Sequence, residues 1–273
     1  MPTLNNKFEC LVNLPSMPVL LMEALQLLNG KQDLTSLVDK IGLDPAIAIR
    51  ILRIVNSPFY GMSREIGSLH EAIVLLGFNR IRDILISVCF SKLLPAQHKD
   101  FNYHWFWHHS MAVAECSRQL ANCTGTNPDL AFTAGLLHDI GCLMIAVLFP
   151  DEFSQLVAVS ANFGIEIEQQ ILGFDHMTIG GKAAQYWNLP QEIQEAIEQH
   201  EKHPDPAAAK SLGLLVNAAN LLIVATERTD ESVSEEEHRP LYTALGILNV
   251  STDQATHCSN SGQQFASQVA VLF

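Results

Sequence analysis

From Ala131 to Phe149 the only strongly polar side chains are Thr133, His138 and Asp139. A helix that is apolar on every face belongs inside a core. A carboxylate placed there is costly unless it is paired or meets a cation. This stretch, GLLHDIG at its centre, therefore constrains the chain more than any other. It demands a helical body thick enough to surround it and something positive beside Asp139. Successive helical residues point about 100° apart. His138 and Asp139 can share one cation only if it sits between their directions and other helices complete its shell. A buried His-Asp pair also serves as a hydrogen-bonded core pair, so the pair alone leaves both readings open.

The rest of the sequence can supply that body. The chain has 273 residues, 48 % of them apolar and 16 % charged. That suits one large domain or two small ones and excludes a disordered chain. The net charge of −13 argues against a nucleic-acid binder, which needs a basic face. It is unevenly spread. Residues 1–100 carry 10 basic and 9 acidic side chains, residues 101–273 carry 6 and 20. We read three segments from this: an N-terminal helical subdomain (1–100), a helical core (101–226), and an acidic loop with C-terminal packing helices (227–273). The Ala131–Phe149 run holds two polar groups at its centre and lacks basic flanks, which argues against a membrane span. The N-terminus lacks the pattern of a signal peptide. Six cysteines without a CxxC pair read as free thiols of a reducing compartment. A cytoplasmic protein without a membrane segment is the expectation.

Helical periodicity dominates and strand alternation is absent, so the fold class is all-α. The spacing predicts helices from about Pro15–Pro18 to Leu28 and from Asp33 to Ile41. Asp44-Pro45 opens another that ends at Asn56. Ser68 caps the next, and Asn79 is expected to cap the one after it. Pro95 to Asp100 reads as a linker. Beyond it come a helix over Tyr103–Cys123 and an apolar helix running from Asn127-Pro128 to near Phe149. Helices over about 151–162 and 166–172 follow. Asp175 caps one to Trp187, Pro190 opens one to His200, and Lys210–Thr226 is again apolar. Residues 227–240 read as an exposed loop.

Helical phase assigns a direction to each histidine. In Tyr103–Cys123, His109 shares a face with Ala112, Val113, Cys116 and Leu120 and points inward. His104, His108, Glu115, Gln119 and Asn122 share the opposite, solvent-facing side. His176 lines up with Ile179, Gly180, Ala183 and Trp187. His200 lines up with Ile193, Ala196 and Ile197, whereas His203 falls off that face. Three helices thus each aim one histidine inward beside the His138-Asp139 pair. A metal centre explains this more economically than three unrelated core histidines. Four imidazoles and one carboxylate suit Fe, Mn, Zn or Ni better than Mg or Ca.

These residues resemble the ligand pattern of the HD superfamily of metal-dependent phosphohydrolases, and in particular the HDOD (HD-related output) domain. The segments that carry the resemblance are LPSMPVLLMEALQLL, GLDPAIAIRILRIVNSPFYG, SLHEAIVLLGFNRIRDILIS, WHHSMAVAECSRQLA, AFTAGLLHDIGCLMI, FDHMTIGGKAAQYWNLP and EAIEQH, in the family's order over roughly residues 11–225. It implies an N-terminal helical subdomain packed on an HD-like core, and a bacterial signalling role exercised through protein partners. It also implies metal ligation by His109, His138, Asp139, His176 and His200. In a catalytic relative, His138 and Asp139 would belong to the reacting centre, with a phosphate-containing small molecule as substrate.

The sequence departs from the catalytic pattern in several places. Asn220 stands where such enzymes carry a late metal-binding Asp, and an amide carbonyl holds a cation more weakly than a carboxylate. Cys142, not Lys, follows Gly141. No Gly-Tyr-Pro triplet occurs, and Gln199-His200-Glu201 replaces paired histidines before an acid. These features disfavour cyclic-dinucleotide hydrolysis. The leading expectation is a signalling module with a buried His/Asp site, and the alternative is an active metal-dependent phosphohydrolase. A DNA-binding role for the Arg50, Arg53, Arg64, Arg80 and Arg82 group ranks below both, since solvated faces and ion pairs account for it. Phe59-Tyr60 and Trp105/Trp107 are expected to close the seam between the helical units.

Overall fold

The computed structural model describes residues 19–27, 40–93, 98–159, 164–227 and 235–269. Among them there are fourteen α-helices and no strand, so the protein is all-α. The N-terminal group is α1 (Val19–Leu27), α2 (Pro45–Val55), α3 (Leu69–Leu76) and α4 (Phe78–Leu93). Then follow α5 (Tyr103–Thr124), α6 (Pro128–Leu137), α7 (Ile140–Leu148), α8 (Pro150–Val159) and α9 (Ile165–Leu172). The chain continues with α10 (His176–Tyr186), α11 (Gln191–Gln199), α12 (Leu212–Glu227), α13 (Glu235–Leu248) and α14 (Thr252–Val269). The first predicted helix falls partly, and the Asp33–Ile41 helix largely, outside the described residues. So do residues 95–97 of the 95–100 linker and residues 228–234.

Local chemistry explains most of the boundaries. The Asp44 carboxylate accepts from the Ala46 and Ile47 amides ahead of α2, with Pro45 in the first turn. Ser68 Oγ accepts from the Glu71 amide, and the Glu71 carboxylate reaches back to the Gly67 amide. Asn127 and Asp175 cap α6 and α10 in the same way. Asn79 does not cap: α4 already begins at Phe78, directly after Gly77, whose φ of +80° ends α3. The predicted acidic loop is also shorter than expected. Helix α12 runs through Glu227, and α13 has begun by Glu235 with Pro240 inside it.

Helix α5 forms the central axis. Helices α6 and α14 lie along it and α12 packs on it as well. At the α5–α6 crossing a Cβ on Gly135 would meet Ser117 Oγ and the Ala114 backbone, so only glycine allows this approach. Helix α10 packs between α7 and α11, and α11 leads to α12. In the N-terminal group α1, α2 and α3 pack on α4, which itself contacts α6. The buried apolar side chains form one continuous cluster from Leu21 to Val269. Phe59 stacks edge-on against Phe265 of α14 at 4.9 Å, as expected of a seam aromatic. The Pro128–Leu148 stretch is long and apolar enough to cross a membrane, yet it is 78 % buried within the protein.

One solvent-facing expectation is overturned, while the ion pairs expected of the arginine group are present. Glu115 is fully buried, although His104 and Asn122 on the same side of α5 are exposed as expected. Its Oε2 accepts from Arg80 Nη1 of α4 at 3.1 Å and lies 3.6 Å from Arg118 Nε. Arg82 is buried too, although Arg50 and Arg53 are not. It donates through Nε and Nη2 to Asp83 Oδ1 at 3.0 and 2.8 Å and lies 3.1 Å from Asp129. Arg118 Nη2 donates to the other Asp83 oxygen at 2.8 Å and its guanidinium sits 4.0 Å over the Phe132 ring. This network ties α4 to α5 and α6. Removing one partner of a buried pair strands the other, at about 3–5 kcal/mol. Asp83→Ala is therefore expected to lower the unfolding free energy by about that amount in urea denaturation. A change under about 0.5 kcal/mol, typical of surface positions, would contradict the network's role.

Candidate metal centre

The apolar segment from Asn127 onward is not one helix. Helix α6 ends at Leu137 and α7 begins at Ile140, with Asp139 at φ −95° and ψ 12° between them. This corrects the single-helix expectation and resolves its geometric difficulty. Breaking the helix at His138-Asp139 lets both side chains face one point. The break also leaves the Asp139 carboxylate at the start of α7, where helix dipole and unpaired amides favour negative charge.

The five predicted groups converge on that carboxylate. Asp139 Oδ2 lies 3.3 Å from His138 Nε2 and 3.9 Å from His109 Nε2. Oδ1 lies 3.1 Å from His200 Nε2 and 3.7 Å from His176 Nε2. All four imidazoles are buried, and the Asp139 side chain is 15 % exposed. Asn220 reaches the cluster as well, with Oδ1 3.1 Å from His109 Nε2. His203 stays outside it, bonded to the neighbouring Pro204 carbonyl.

Every ring is held by its other nitrogen. His138 Nδ1 donates to the Gly135 carbonyl at 2.7 Å, and His200 Nδ1 donates to the Ile197 carbonyl at 2.8 Å. His176 Nδ1 meets Glu168 Oε2 at 2.8 Å, and His109 Nδ1 meets Glu227 Oε2 at 3.3 Å. A carbonyl only accepts, so the neutral rings of His138 and His200 carry their proton on Nδ1 and aim an Nε2 lone pair at the centre. Backbone or carboxylate partners on the outer nitrogen are the usual support of metal-binding histidines. His138 Nε2 is buried without a hydrogen-bond donor, and the Nε2 atoms of His176 and His200 lie 3.2 Å apart. Converging lone pairs around a carboxylate repel unless a cation or protons lie among them.

Protonation follows the same logic. Burial works to raise the Asp139 pKa, but when His138 and His200 also carry a proton on Nε2 they hold it well below the usual carboxylate range, as a cation in the same place would. Burial opposes charge on His176, yet the Glu168 hydrogen bond carries its pKa up to about 9. His109 is also raised, by Glu227 and Asp139 against the pull of burial. His138 is lowered, because its burial outweighs the attraction of Asp139.

Several supporting groups were not foreseen. Glu168, buried on α9, also accepts from the His176 backbone amide at 2.8 Å. Asn217 Nδ2 donates to the His200 carbonyl at 2.6 Å. Glu227 belongs to the end of α12, not to the acidic loop. Its spacing of seven from Asn220 places the two on one helical face, a signal available in the sequence. Trp105 is not a seam residue: it is half exposed and stacks on His109 at 5.1 Å with the rings 10° apart. Gly141 is dictated by packing. A Cβ there would overlap the His176 backbone carbonyl, so α7 and α10 approach closely enough to bring His176 to Asp139 only over glycine.

Comparison with known proteins identifies the fold. Residues 14–203 match the HDOD domain. The chain belongs to the HDOD domain family. A solved HDOD domain protein of unknown function from Geobacter sulfurreducens shares the fold with a TM-score of 0.78. It is 24 % identical over 99 % of both chains. A Shewanella amazonensis SB2B structure named "Putative phosphohydrolase" gives a TM-score of 0.77 at 24 % identity, covering 96 % of this chain and 97 % of that one. An uncharacterised Treponema pallidum (strain Nichols) protein is 27 % identical over 218 residues. That match takes in 77 % of this HDOD chain but only 42 % of the Treponema protein.

The groups present fit a divalent cation by donor type, tautomer and the unpaired His138 nitrogen. Glu168→Ala frees the outer nitrogen of His176 and is expected to weaken metal binding about 10–100-fold. Isothermal titration of the metal-free protein checks this, and an unchanged affinity would remove His176 from the ligand set. Gly141→Ala is expected to destabilise by about 1–3 kcal/mol through overpacking. It should also weaken metal binding, measured on the folded fraction.

Proposed function

We propose that the chain is an HDOD-type signalling module whose His/Asp centre holds a divalent metal as a structural or ligand-sensing element. Fe, Mn, Zn or Ni fits the donor set. The observation that carries the metal assignment is the fixed convergence of four Nε2 atoms on the two Asp139 oxygens. His109, His138 and Asp139 would hold it on the Oδ2 side, and Asp139, His176 and His200 on the Oδ1 side. When bound, such a cation supplies positive charge to a buried carboxylate and Lewis acidity toward a phosphoryl oxygen or water.

One feature supports regulation over turnover. Asn220 offers an amide where a catalytic site profits from a carboxylate. Contacts with signalling proteins fit the apolar side chains exposed on the N-terminal group, among them Leu43 in the turn before α2, Ile49 and Val74.

The second reading is a metal-dependent phosphohydrolase acting on a nucleotide or phosphoester. Partial exposure of Asp139 and Glu201 favours it, since it leaves one approach to the centre. Here Asp139 would bind the cation, the four histidines would ligate it or orient the substrate's phosphate, and the acidic surroundings would depend on the cation to admit that phosphate.

A metal that binds only the folded state stabilises it by about 2.7 kcal/mol at a hundredfold excess over Kd. Added Zn or Mn is therefore expected to raise the Tm of the wild type and leave Asp139→Ala unchanged. On a panel of phosphomonoesters, diesters and nucleotides with Mn or Fe, the wild type is expected to match Asp139→Ala at background. Turnover lost in Asp139→Ala would overturn the regulatory reading in favour of the hydrolase.

A further inference from the structure

The two oxygens of Asp139 face different company. Oδ2 looks toward His109 and His138. Oδ1 looks toward His176 and His200, and one helical turn after Asp139 the chain places Cys142. The Cys142 amide donates to the Asp139 carbonyl at 2.9 Å in the first turn of α7, so residues 139 and 142 share a face. Ligand atoms of Asp139, Cys142 and His176 all lie within 4.8 Å of one another. A second triad, His176, His200 and Glu201, shares His176 and meets the same limit. No sulfur belongs to the corresponding group on the other side, His109, His138 and Asp139.

We infer that Cys142 is a thiolate ligand in the Oδ1 half of the centre, which makes that half selective for a thiophilic divalent ion such as Zn or Fe. The inference rests on the metal-centre reading above and adds a donor to it. The neighbouring donors point to a ligand there beyond the thiol itself. The buried His176 and His200 Nε2 atoms lie 3.2 Å apart and 3.7 and 3.1 Å from Asp139 Oδ1, and a ligand atom of His176 is within 4.8 Å of the Cys142 sulfur. On the Oδ2 side of the same carboxylate His138 Nε2 is buried without a hydrogen-bond partner.

The other thiols differ. Of Cys89, Cys116, Cys123, Cys142 and Cys258, Cys142 alone stands in a triad of metal-ligating groups among the described residues. On binding, the Cys142 S–H bond breaks, a metal–sulfur bond forms and the proton leaves to solvent, so loading of this half consumes no redox equivalents. Thiolate and imidazole select Zn and Fe, whereas Mg and Mn prefer oxygen. The two halves would then differ in metal preference: nitrogen and carboxylate on one side, sulfur added on the other.

Cobalt(II) added to the metal-free full-length protein tests this. The expected spectrum has visible d–d bands and a near-ultraviolet sulfur-to-cobalt charge-transfer band. Cys142→Ser should keep the d–d bands, lose the charge-transfer band, and weaken Zn binding far more than Mn binding. X-ray absorption of the Zn-loaded wild type should show a sulfur shell at about 2.3 Å. If Cys142→Ser fails to fold by circular dichroism, the wild type decides through alkylation. Zn, and not Mg, should then slow modification of the Cys142-containing peptide. Cobalt d–d bands without charge transfer, or a charge-transfer band retained in Cys142→Ser, would overturn the thiolate and leave the metal centre standing. Absence of any cobalt spectrum would remove the metal centre and the thiolate together.

Discussion

A carboxylate inside an apolar helical body must be matched by positive charge, and Asp139 is where this protein meets that requirement. Four imidazoles surround it, each held from behind so that its inner nitrogen can point only one way. The supports come from different places: two backbone carbonyls, Glu168 on α9 and Glu227 at the end of α12. Helices α5, α6, α7, α9, α10, α11 and α12 therefore share one polar point. Displacing any of them misplaces a ring or its support.

The scaffold's less regular features serve that convergence. The chain breaks between Leu137 and Ile140 so that neighbouring residues aim together, at the cost of helical continuity in its most apolar stretch. Gly141 gives up a side chain so that α10 can approach. Farther out, the buried network of Arg82, Asp83, Glu115 and Arg118 anchors the N-terminal helices to α5. A buried ionic network is a poor source of net stability, but it fixes one arrangement because misregister leaves charges unpaired. This links the position of α4 to that of α5, the helix that carries His109.

Much of this was legible in the sequence because periodicity reports burial directly. The inward faces of His109, His176 and His200 followed from helical phase, and all three rings are buried where that phase put them. The capping residues Asp44, Ser68, Asn127 and Asp175 were equally plain, since each requires only a short side chain just before an apolar run. Phase failed where tertiary packing covers a helix on more than one side. Glu115 looked solvent-facing because its neighbours are polar, but Arg80 arrives from α4 to pair with it. The break at Asp139 was hidden because apolar residues run on both sides of the His138-Asp139 pair and no proline marks it. Glu168 and Glu227 resembled ordinary surface acids, and their role depends on histidines far away in the chain.

The account stands or falls on whether a cation belongs between Asp139 and the four rings. Crystals grown with Zn and measured on either side of its absorption edge address this directly. The account predicts an anomalous peak within bonding distance of an Asp139 oxygen and of at least two inner imidazole nitrogens, at about 2.0–2.2 Å. A map at saturating Zn with no peak there, or with the four rings turned away from Asp139, would contradict it.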